Sequence, residues 1–585
     1  MPGTRKKTTI PTRCSHRLSS TWSTVGARFC SFSAARTGWT GSTRKSLRVV
    51  TPNGWLERRI VTKSPPFPRP IIFFPCPNGS KACSGSATTG WRATSPDGLQ
   101  SMSFGRKKIM AGFGWVALSR YANRLLGFVT TLILARLLSP EDFGLVALAA
   151  MMVEILKIFK DMGLGQALIY RRDRIEEASS AVFFMTLTLN SSLFLLALLL
   201  APLTAGFFED PRITSVLIVM STNLLWMSLG VVPNALVRKE IDFHKLILPE
   251  VAPVVVGSVV GIVLAFMGYG VWALVVRALT VDILMVLLLW RVVPFRPHLN
   301  FDRALVMELF HYGKFIVGTS IVAVALYNVD KFYISKIEGL TALGVYTLAF
   351  SIANMPVTEL GHLICRVMFP VFSRLNDDLP RLKEAFMRTF RFTAAVTFPM
   401  AVGIMSFGPA LVDLMFEPRW APMKRPLQIL ALAALMRSLS VILHELIRAL
   451  GEPGRVQRFT IYRLVAIGGL GGPAVLYGGL EGICWLIAGT YFLVLLREVG
   501  AGGSMLQVAG GELLAALLRP MLAAVLVIPG VYWAVRASLG MEGAATFWGG
   551  VVLASLVYAL LLSAVDGEIR AELARFLPGR YLRQK

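Results

Sequence analysis

From Ala111 almost to its end the chain is a succession of apolar runs, each about twenty residues long and followed by a short polar turn. Twenty residues of helix rise about 30 Å, the thickness of the hydrocarbon layer of a bilayer. In lipid every backbone N–H and C=O must be satisfied inside the segment, so these runs must fold as helices. Hydrophobic residues make up 55% of the 585 positions. That is more apolar surface than one soluble core can hide. The expected fold class is an all-α integral membrane protein.

Fourteen spans are expected, at roughly 112–137, 143–169, 178–202, 213–236, 247–268, 270–293, 311–335, 341–368, 388–408, 426–449, 458–477, 479–497, 514–537 and 545–566. The turns between them alternate in chemistry. One set is basic, holding Arg171 to Arg174, Arg238-Lys239, Arg291 to Lys314, Arg366 to Arg391, Arg448 to Arg463 and Arg570 to Lys585. The other holds Ser139 to Asp142, Phe207 to Pro211, Met267 to Gly270, Glu338-Gly339 and Tyr477 to Glu481. Lys and Arg divide roughly thirty to seven between the sets, which orients the protein with both termini in the cytoplasm. The basic loop 366–391 is expected to hold an amphipathic helix between spans 8 and 9. Trp272, Trp290 and Trp420 stand at span ends, where an interfacial aromatic belt would sit.

The chain also repeats itself. Phe143 to Ala149, after the turn Ser139-Pro140-Glu141-Asp142, lines up with Leu343 to Ala349 at an offset of 200 residues. Asp161-Met162-Gly163 is answered by Glu359-Leu360-Gly361. Such a repeat suggests two fused lobes. Six spans per lobe is an even number, so the lobes share one orientation. Their pseudo-twofold axis should then lie along the membrane normal, with a cavity between them. The expected organisation is an extension (1–101), an N-lobe of spans 1–6 (102–300), a C-lobe of spans 7–12 (301–500), spans 13 and 14 (501–567) and a cytoplasmic tail (568–585).

Net charge is +26, and residues 1–101 alone hold sixteen Lys and Arg against two Asp and Glu. These residues show no helical or strand period. They read either as a disordered basic tail or as a misplaced start, with translation beginning at Met102 or Met110. The second fits better, because Ser103 to Lys108 then forms an ordinary basic leader. The basic balance follows membrane topology and implies no nucleic acid. Six scattered cysteines, without a CxxC pair, suggest neither zinc nor a disulfide framework. No cofactor or metal is expected. No phosphate-binding GxxxxGK[ST] loop is present, and no extracytoplasmic loop is large enough for a polymerase or glycosyltransferase site.

A charge at mid-span costs about 2.5–3.5 kcal/mol and persists only where it faces protein or water. Arg120 and Arg124 stack on one face of span 1. Arg437 lies near the middle of span 10, with His444 and Arg448 on the same face, and Arg277 lies in span 6. Guanidinium binds a diphosphate through paired hydrogen bonds. Arginines from both lobes would therefore make an anion-binding cavity. The bland alternative is that each arginine snorkels or pairs with a nearby carboxylate. In span 2, Glu154, Lys157, Lys160 and Asp161 are spaced as a self-neutralised ladder. Glu154 and Asp161, with Asp330 in span 7, could instead hold a coupling proton or sodium ion. Glu359 and His362 in span 8 carry the same ambiguity. Gly257 and Gly261 form a GxxxG spacing that signals close packing.

Eight short motifs occur in order. They are Leu134–Val146 (Leu-Ala-Arg-Leu-Leu-Ser-Pro-Glu-Asp-Phe-Gly-Leu-Val), Asp161–Ile169, Asn234–Phe243, Gly268–Val275, Arg296–Phe301, Asn328–Lys331, Leu343–Tyr346 and Phe369–Arg374. From about Gly112 to Gly451 the chain resembles the polysaccharide transporter family of bacterial flippases, and within it the colanic-acid and amylovoran exporter branch. That family belongs to the superfamily that also contains multidrug and toxin extruders. A Gly-x-x-Trp usual there stands here as Glu417-Pro-Arg-Trp420, and residues 1–101 have no counterpart. The resemblance implies a MATE-like or MurJ-like fold of two six-helix bundles rocking between inward-open and outward-open states. It implies a polyprenyl-diphosphate-linked oligosaccharide as cargo, flipped across the bacterial inner membrane for capsule, exopolysaccharide or O-antigen. Membrane lipids, a polysaccharide polymerase and a chain-length regulator are the implied partners. The alternatives are a small-molecule antiporter of the extruder type, which wants an acidic cavity, and a membrane glycosyltransferase or polymerase.

Overall fold

The computed structural model describes residues 47–51, 54–58, 122–160, 163–170, 174–240, 244–293, 295–298, 303–540 and 543–565. Arg120 and Asp161 lie outside these residues, as do the side chains of Glu359 and His362. The chain divides into two units, Met1–Arg92 and Ala93–Lys585. In the first, β1 (Leu47–Thr51) pairs antiparallel with β2 (Gly54–Arg58), setting Val49 against Leu56 and Val50 against Trp55. This corrects the expectation of no strand pattern there. Two β-branched residues opposite an aromatic and an aliphatic residue suit a pleated pair.

The second unit is all-α. Its helices are α1 (122–137), α2 (Pro140–Lys157), α3 (Leu164–Tyr170), α4 (Ile175–Phe208), α5 (Arg212–Ser221), α6 (Asn223–Glu240), α7 (His244–Phe266) and α8 (Val271–Val292). Then come α9 (Arg303–Ile337), α10 (Gly339–Arg374), α11 (Leu379–Met415), α12 (Lys424–Ala449), α13 (Pro453–Leu506), α14 (Gly510–Leu539) and α15 (Ala544–Val565). Among the described residues, ten helical segments are long and apolar enough to cross a membrane.

Local chemistry sets the breaks. Ser139 caps α2. Its Oγ accepts from Asp142 N at 3.2 Å, and Asp142 Oδ2 accepts from Ser139 N at 3.0 Å. The expected second span is not one helix: it stops at Lys157 and resumes at Leu164, after Gly163 at φ +72°. No separate amphipathic helix fills 366–391. Asp378 caps α11 at Arg381 N, and α11 runs unbroken for 37 residues, burying Leu382, Phe386 and Phe390 on one stripe. Spans 11 and 12 are joined in α13, which turns at Gly479 (φ +57°, ψ −149°). Its two arms lie side by side, because Arg463 on the first bonds Glu498 on the second at 2.6 Å.

Gly144 on α2 and Gly344 on α10 let two helices touch backbone to backbone. A Cβ at Gly144 would stand 1.8 Å from the Leu340 carbonyl oxygen, and one at Gly344 would stand 1.7 Å from that of Pro140. The contact is reciprocal across the 200-residue offset. Around it one core joins two sets of helices, α1–α8 and α9–α15, through Leu145, Leu148, Leu343, Tyr346, Trp420 and Leu427. Trp420 is fully buried and sits edge-on to Phe143 at 5.5 Å, so it is a seam residue and not part of an interfacial belt. Arg419 Nη2 donates to the Arg136 carbonyl at 3.2 Å, and Lys336 Nζ bonds Glu209 at 3.1 Å. Arg212 ties Asp210 to Glu141. All these contacts lie at the end bearing the acidic turns. Among the described residues, the remaining core clusters stay within one set of helices or the other.

Candidate functional site

Arg437 sits halfway along α12, just after the apolar stretch Ile429–Met436. Its guanidinium carbon lies 5.3 Å from the Tyr327 ring centroid on α9, 5.2 Å from Phe350 on α10 and 5.0 Å from Tyr491 on α13. Nη2 donates to the Tyr491 hydroxyl at 3.0 Å. Ring faces offset the desolvation of a cation without neutralising it. Among the described residues Arg437 has no carboxylate partner, and one of its N–H groups is engaged where a guanidinium carries five. The side chain is half-buried, so the remaining donors can meet an anion.

Behind this box lies a polar group that the sequence reading did not isolate. Arg463 stacks on Tyr491, 4.6 Å from its centroid, and donates to Glu498 Oε1 at 2.6 Å and Ser440 Oγ at 3.0 Å. His444 Nε2 meets the same Glu498 oxygen at 2.8 Å. Arg463 and Glu498 are buried in the C-terminal set of helices. Arg463 was expected at the basic membrane face. Its side chain is in fact enclosed, because a carboxylate on the far arm of α13 compensates it.

The other expected site residues scatter. Arg124 is exposed on α1. Arg277 lies on α8 with its stem against Gly261 of α7, and its guanidinium 3.9 Å from where a Cβ would stand on Gly127 of α1. Gly257 and Gly261 are thus the packing sites their spacing suggested. Arg448 is bonded to Glu445 at 2.8 Å one turn back, at the exposed end of α12. Asp330 is buried and accepts the Tyr346 hydroxyl. Glu154 makes no ion pair with Lys157 among the described residues. Instead its Oε2 accepts from Asn328 Nδ2 of α9 at 3.4 Å. The Lys157–Asp161 rung of the ladder lies outside the described residues, and α8 places the charge of Asp282 near Lys157. Asn223 donates to Asp282, and a cavity of about 310 Å³ beside it is lined by Lys160, Gln166, Asn190, Asn234 and Arg238.

Residues 133–425 match the family model described as polysaccharide biosynthesis protein. This chain belongs to that family. Within it, the chain is 26% identical to the succinoglycan biosynthesis transport protein ExoT of Rhizobium meliloti over 67% of this chain and 78% of that one. It is 24% identical to the lipopolysaccharide biosynthesis protein WzxC of Escherichia coli, over 64% and 76%. It is 25% identical to the teichuronic acid biosynthesis protein TuaB of Bacillus subtilis, over 57% and 69%. In fold it is similar to the lipid II flippase MurJ in an inward closed conformation, with TM-score 0.58 and 13% identity over 77% of this chain and 99% of that one. It is also similar to an inward-facing multidrug MATE transporter, with TM-score 0.54 and 18% identity over 66% and 94%. The family segment contains Glu154, Arg277 and Asp330. Arg437 and its α13 partners lie beyond its end, so their reading rests on geometry alone.

Proposed function

We propose that this family member is a flippase of the bacterial inner membrane that carries polyprenyl-diphosphate-linked oligosaccharide units from the cytoplasmic to the outer leaflet. The observation that carries the reading is Arg437, a guanidinium boxed by three aromatic rings with donors to spare. A diphosphate needs fixed positive charge in a site where few other cations compete for it. An extruder of cations would want an acidic site in that place. The chain acts as a transporter and not as an enzyme.

Two lobes rocking about an axis near Gly144 and Gly344 would give alternating access. The reciprocal contact at the 200-residue offset supports that symmetry, since an isologous interface pairs each element with its own equivalent. The turn glycines Gly270 (φ +53°) and Gly479 (φ +57°) support it too: each faces an acidic side chain, Asp142 and Glu338 respectively. In this reading α1–α8 form six spans, α9–α13 form six more, and α14 and α15 add two. The basic ends face the cytoplasm, and the acidic-end seam is the closed outer gate. Arg124 and Arg277 would contribute further charge. Glu154 and Asp330 remain candidates for a coupling ion, and Asp161 joins them from the sequence alone.

The test is a strain that depends on this protein for surface polysaccharide. Losing charge-assisted hydrogen bonds of about 1.5–3 kcal/mol should cut output by at least about tenfold in Arg437→Ala. Arg437→Lys keeps the charge but loses the planar fork, and should fall between. Normal polysaccharide from a well-expressed Arg437→Ala would overturn the proposal.

A further inference from the structure

We propose that the cavity among α3, α4, α6 and α8 is a saccharide pocket that holds one sugar of the cargo, apart from the diphosphate site at Arg437. The inference rests on the reading of the chain as a flippase of lipid-linked oligosaccharide.

The pocket lies where a span is broken. α2 stops at Lys157, tightens through i→i+3 bonds at Ile158, Phe159 and Lys160, and helix resumes at Leu164. Non-helical backbone inside a bilayer persists only where it is buried in protein or lines a wet cavity. The repeat shows that the scaffold does not require the break. At the matching place α10 passes through Glu359-Leu360-Gly361 without interruption. Interrupted spans of this kind line substrate sites in transporters. The cavity follows α6 from Arg238 to Ser228, about 15 Å of helix. Of its lining, Arg238 and Gln166 are exposed, whereas Asn190 and Ser228 are buried. In the proposed orientation Arg238 faces the cytoplasm, the side from which the cargo is taken.

Asn190 decides what the pocket can hold. Its Nδ2 donates to the carbonyls of Lys160 at 2.6 Å and Thr186 at 2.7 Å, and two acceptors fix which end of the amide is which. Oδ1 is left as an acceptor, and among the described residues it has no partner although the side chain is buried. A buried acceptor is costly until something donates to it. Asp282, on the same cavity, is a second acceptor, whereas Lys160 and Arg238 only donate and Gln166 does both. An anion would be repelled by Asp282, and a bare cation by Lys160 and Arg238. A hydroxyl donates to the first pair and accepts from the second, so a ring bearing several hydroxyls matches the whole set. At about 310 Å³ the cavity is at the small end of ligand pockets, about 300–1,000 Å³, which suits a single sugar and not a whole repeat unit. Gln166, Asn190 and Asp282 then set which sugar is accepted, while Arg437 holds the diphosphate that every such lipid carries.

The experiment uses the full chain in membranes from cells that make no lipid-linked sugar. Single cysteines replace Met285, half-buried on the cavity, or Tyr327, beside Arg437, on a background without native cysteines. Their reaction with methyl methanethiosulfonate is timed alone, with farnesyl diphosphate, which bears no sugar, and with lipid-linked oligosaccharide extracted from the parent strain. At about ten times its Kd the oligosaccharide should slow Met285→Cys about tenfold, and farnesyl diphosphate should not. Both should slow Tyr327→Cys. Asn190→Leu should abolish the slowing at 285, and Gln166→Ala should weaken it several-fold; both should leave 327 unchanged. Should Asn190→Leu fail to fold, Gln166→Ala at the exposed position decides. Equal labelling at 285 in all three conditions, as water or a lipid headgroup in the cavity would give, overturns the inference. Slowing there by farnesyl diphosphate, or full slowing in either variant, does the same. If 327 is still protected in those cases, the diphosphate site stands. Protection at neither position overturns both readings, and protection at 285 alone overturns the site at Arg437 and keeps the pocket.

Discussion

Gly144→Ala tests whether the acidic-end seam is a gate. The added Cβ would stand 1.8 Å from the Leu340 carbonyl oxygen, where ordinary contact begins near 3.4 Å. α2 and α10 must separate by roughly 1.5 Å, since the obstacle is backbone and cannot rotate away; overpacking of this kind costs about 1–3 kcal/mol. The separation also loosens Leu148, Leu343 and Tyr346 in the shared core, where a gap of 0.5–1 Å forfeits about a quarter to a half of each contact. A state with the seam open bears none of this cost. The closed-to-open ratio should therefore fall by about fivefold to more than a hundredfold. The assay places a cysteine at Leu348, on a background with the native cysteines replaced, and follows its reaction with a membrane-impermeant maleimide. Gly144→Ala should speed labelling within that range. Gly403→Ala, where a Cβ meets nothing within 4 Å, should leave it unchanged. Adding Gly344→Ala should cost less than the first substitution, because the same separation serves both. Unchanged labelling in a folded Gly144→Ala would refute the gate.

Other outcomes follow from single contacts. Arg463→Ala leaves the buried Glu498 with His444 alone among its described partners and should cost about 3–5 kcal/mol, read as a lower melting temperature in detergent. Arg448→Ala removes an exposed pair and should stay within about 1 kcal/mol in the same assay. Gly479→Ala forces a side chain into a conformation that favours glycine and should cost about 1–3 kcal/mol, whereas Gly478→Ala should be silent in folding yield. The Arg212 guanidinium holds the Asp210 carboxyl below its ordinary 3.8 by hydrogen bonding to it. The contribution of that pair is therefore complete above about pH 4 and is lost as pH falls through the lowered value. Melting curves of Asp210→Asn and wild type should converge only below pH 4.

What the sequence made legible was whatever repeats or whatever costs energy to retain. The apolar runs set the helices. The 200-residue repeat set Gly144 opposite Gly344 in register, but only the structure shows their backbones in contact, where nothing larger fits. Arg437 stood out because charge at mid-span needs a reason. Arg437 and Arg448 share one helix face, and nothing local separates them. Tertiary partners do: aromatic rings gather about the first, and Glu445 neutralises the second. Arg463 passed for one of the basic residues at a membrane face because its compensating carboxylate is 35 positions away, beyond the turn of α13. Asp282 escaped notice for the same reason, since it lies on α8 and the sequence already offered Glu154 and Asp161 as partners for Lys157. Periodicity pairs a charge with its own helix, whereas packing pairs it with another. The sequence therefore marked Arg437 and Asp330, but it missed the buried Arg463 and Glu498, which pair across the turn of α13.

That distinction bears on mechanism. A charge neutralised along its own helix stays neutral wherever the helix goes. Arg448 with Glu445 is such a pair, and so is silent in any rocking motion. Glu154 with Asn328 joins α2 to α9, across the divide between the two sets of helices, where a movement of one set against the other would pull on it. The relay from Arg437 to Glu498 lies between α12 and α13, inside one set, and would travel as a body. A rocking transporter needs both kinds of contact: a site whose affinity survives the swing, and bonds at the divide that give way to it. In the proposed mechanism Arg437 would meet the first requirement, and Glu154 and the Gly144–Gly344 seam the second. Linking cysteines at 154 and 328 with a short bifunctional thiol reagent should therefore stop transport beyond any loss in the unlinked double variant, while leaving anion binding at Arg437 intact. Equal loss of both would mean that the binding site is itself assembled from the two sets.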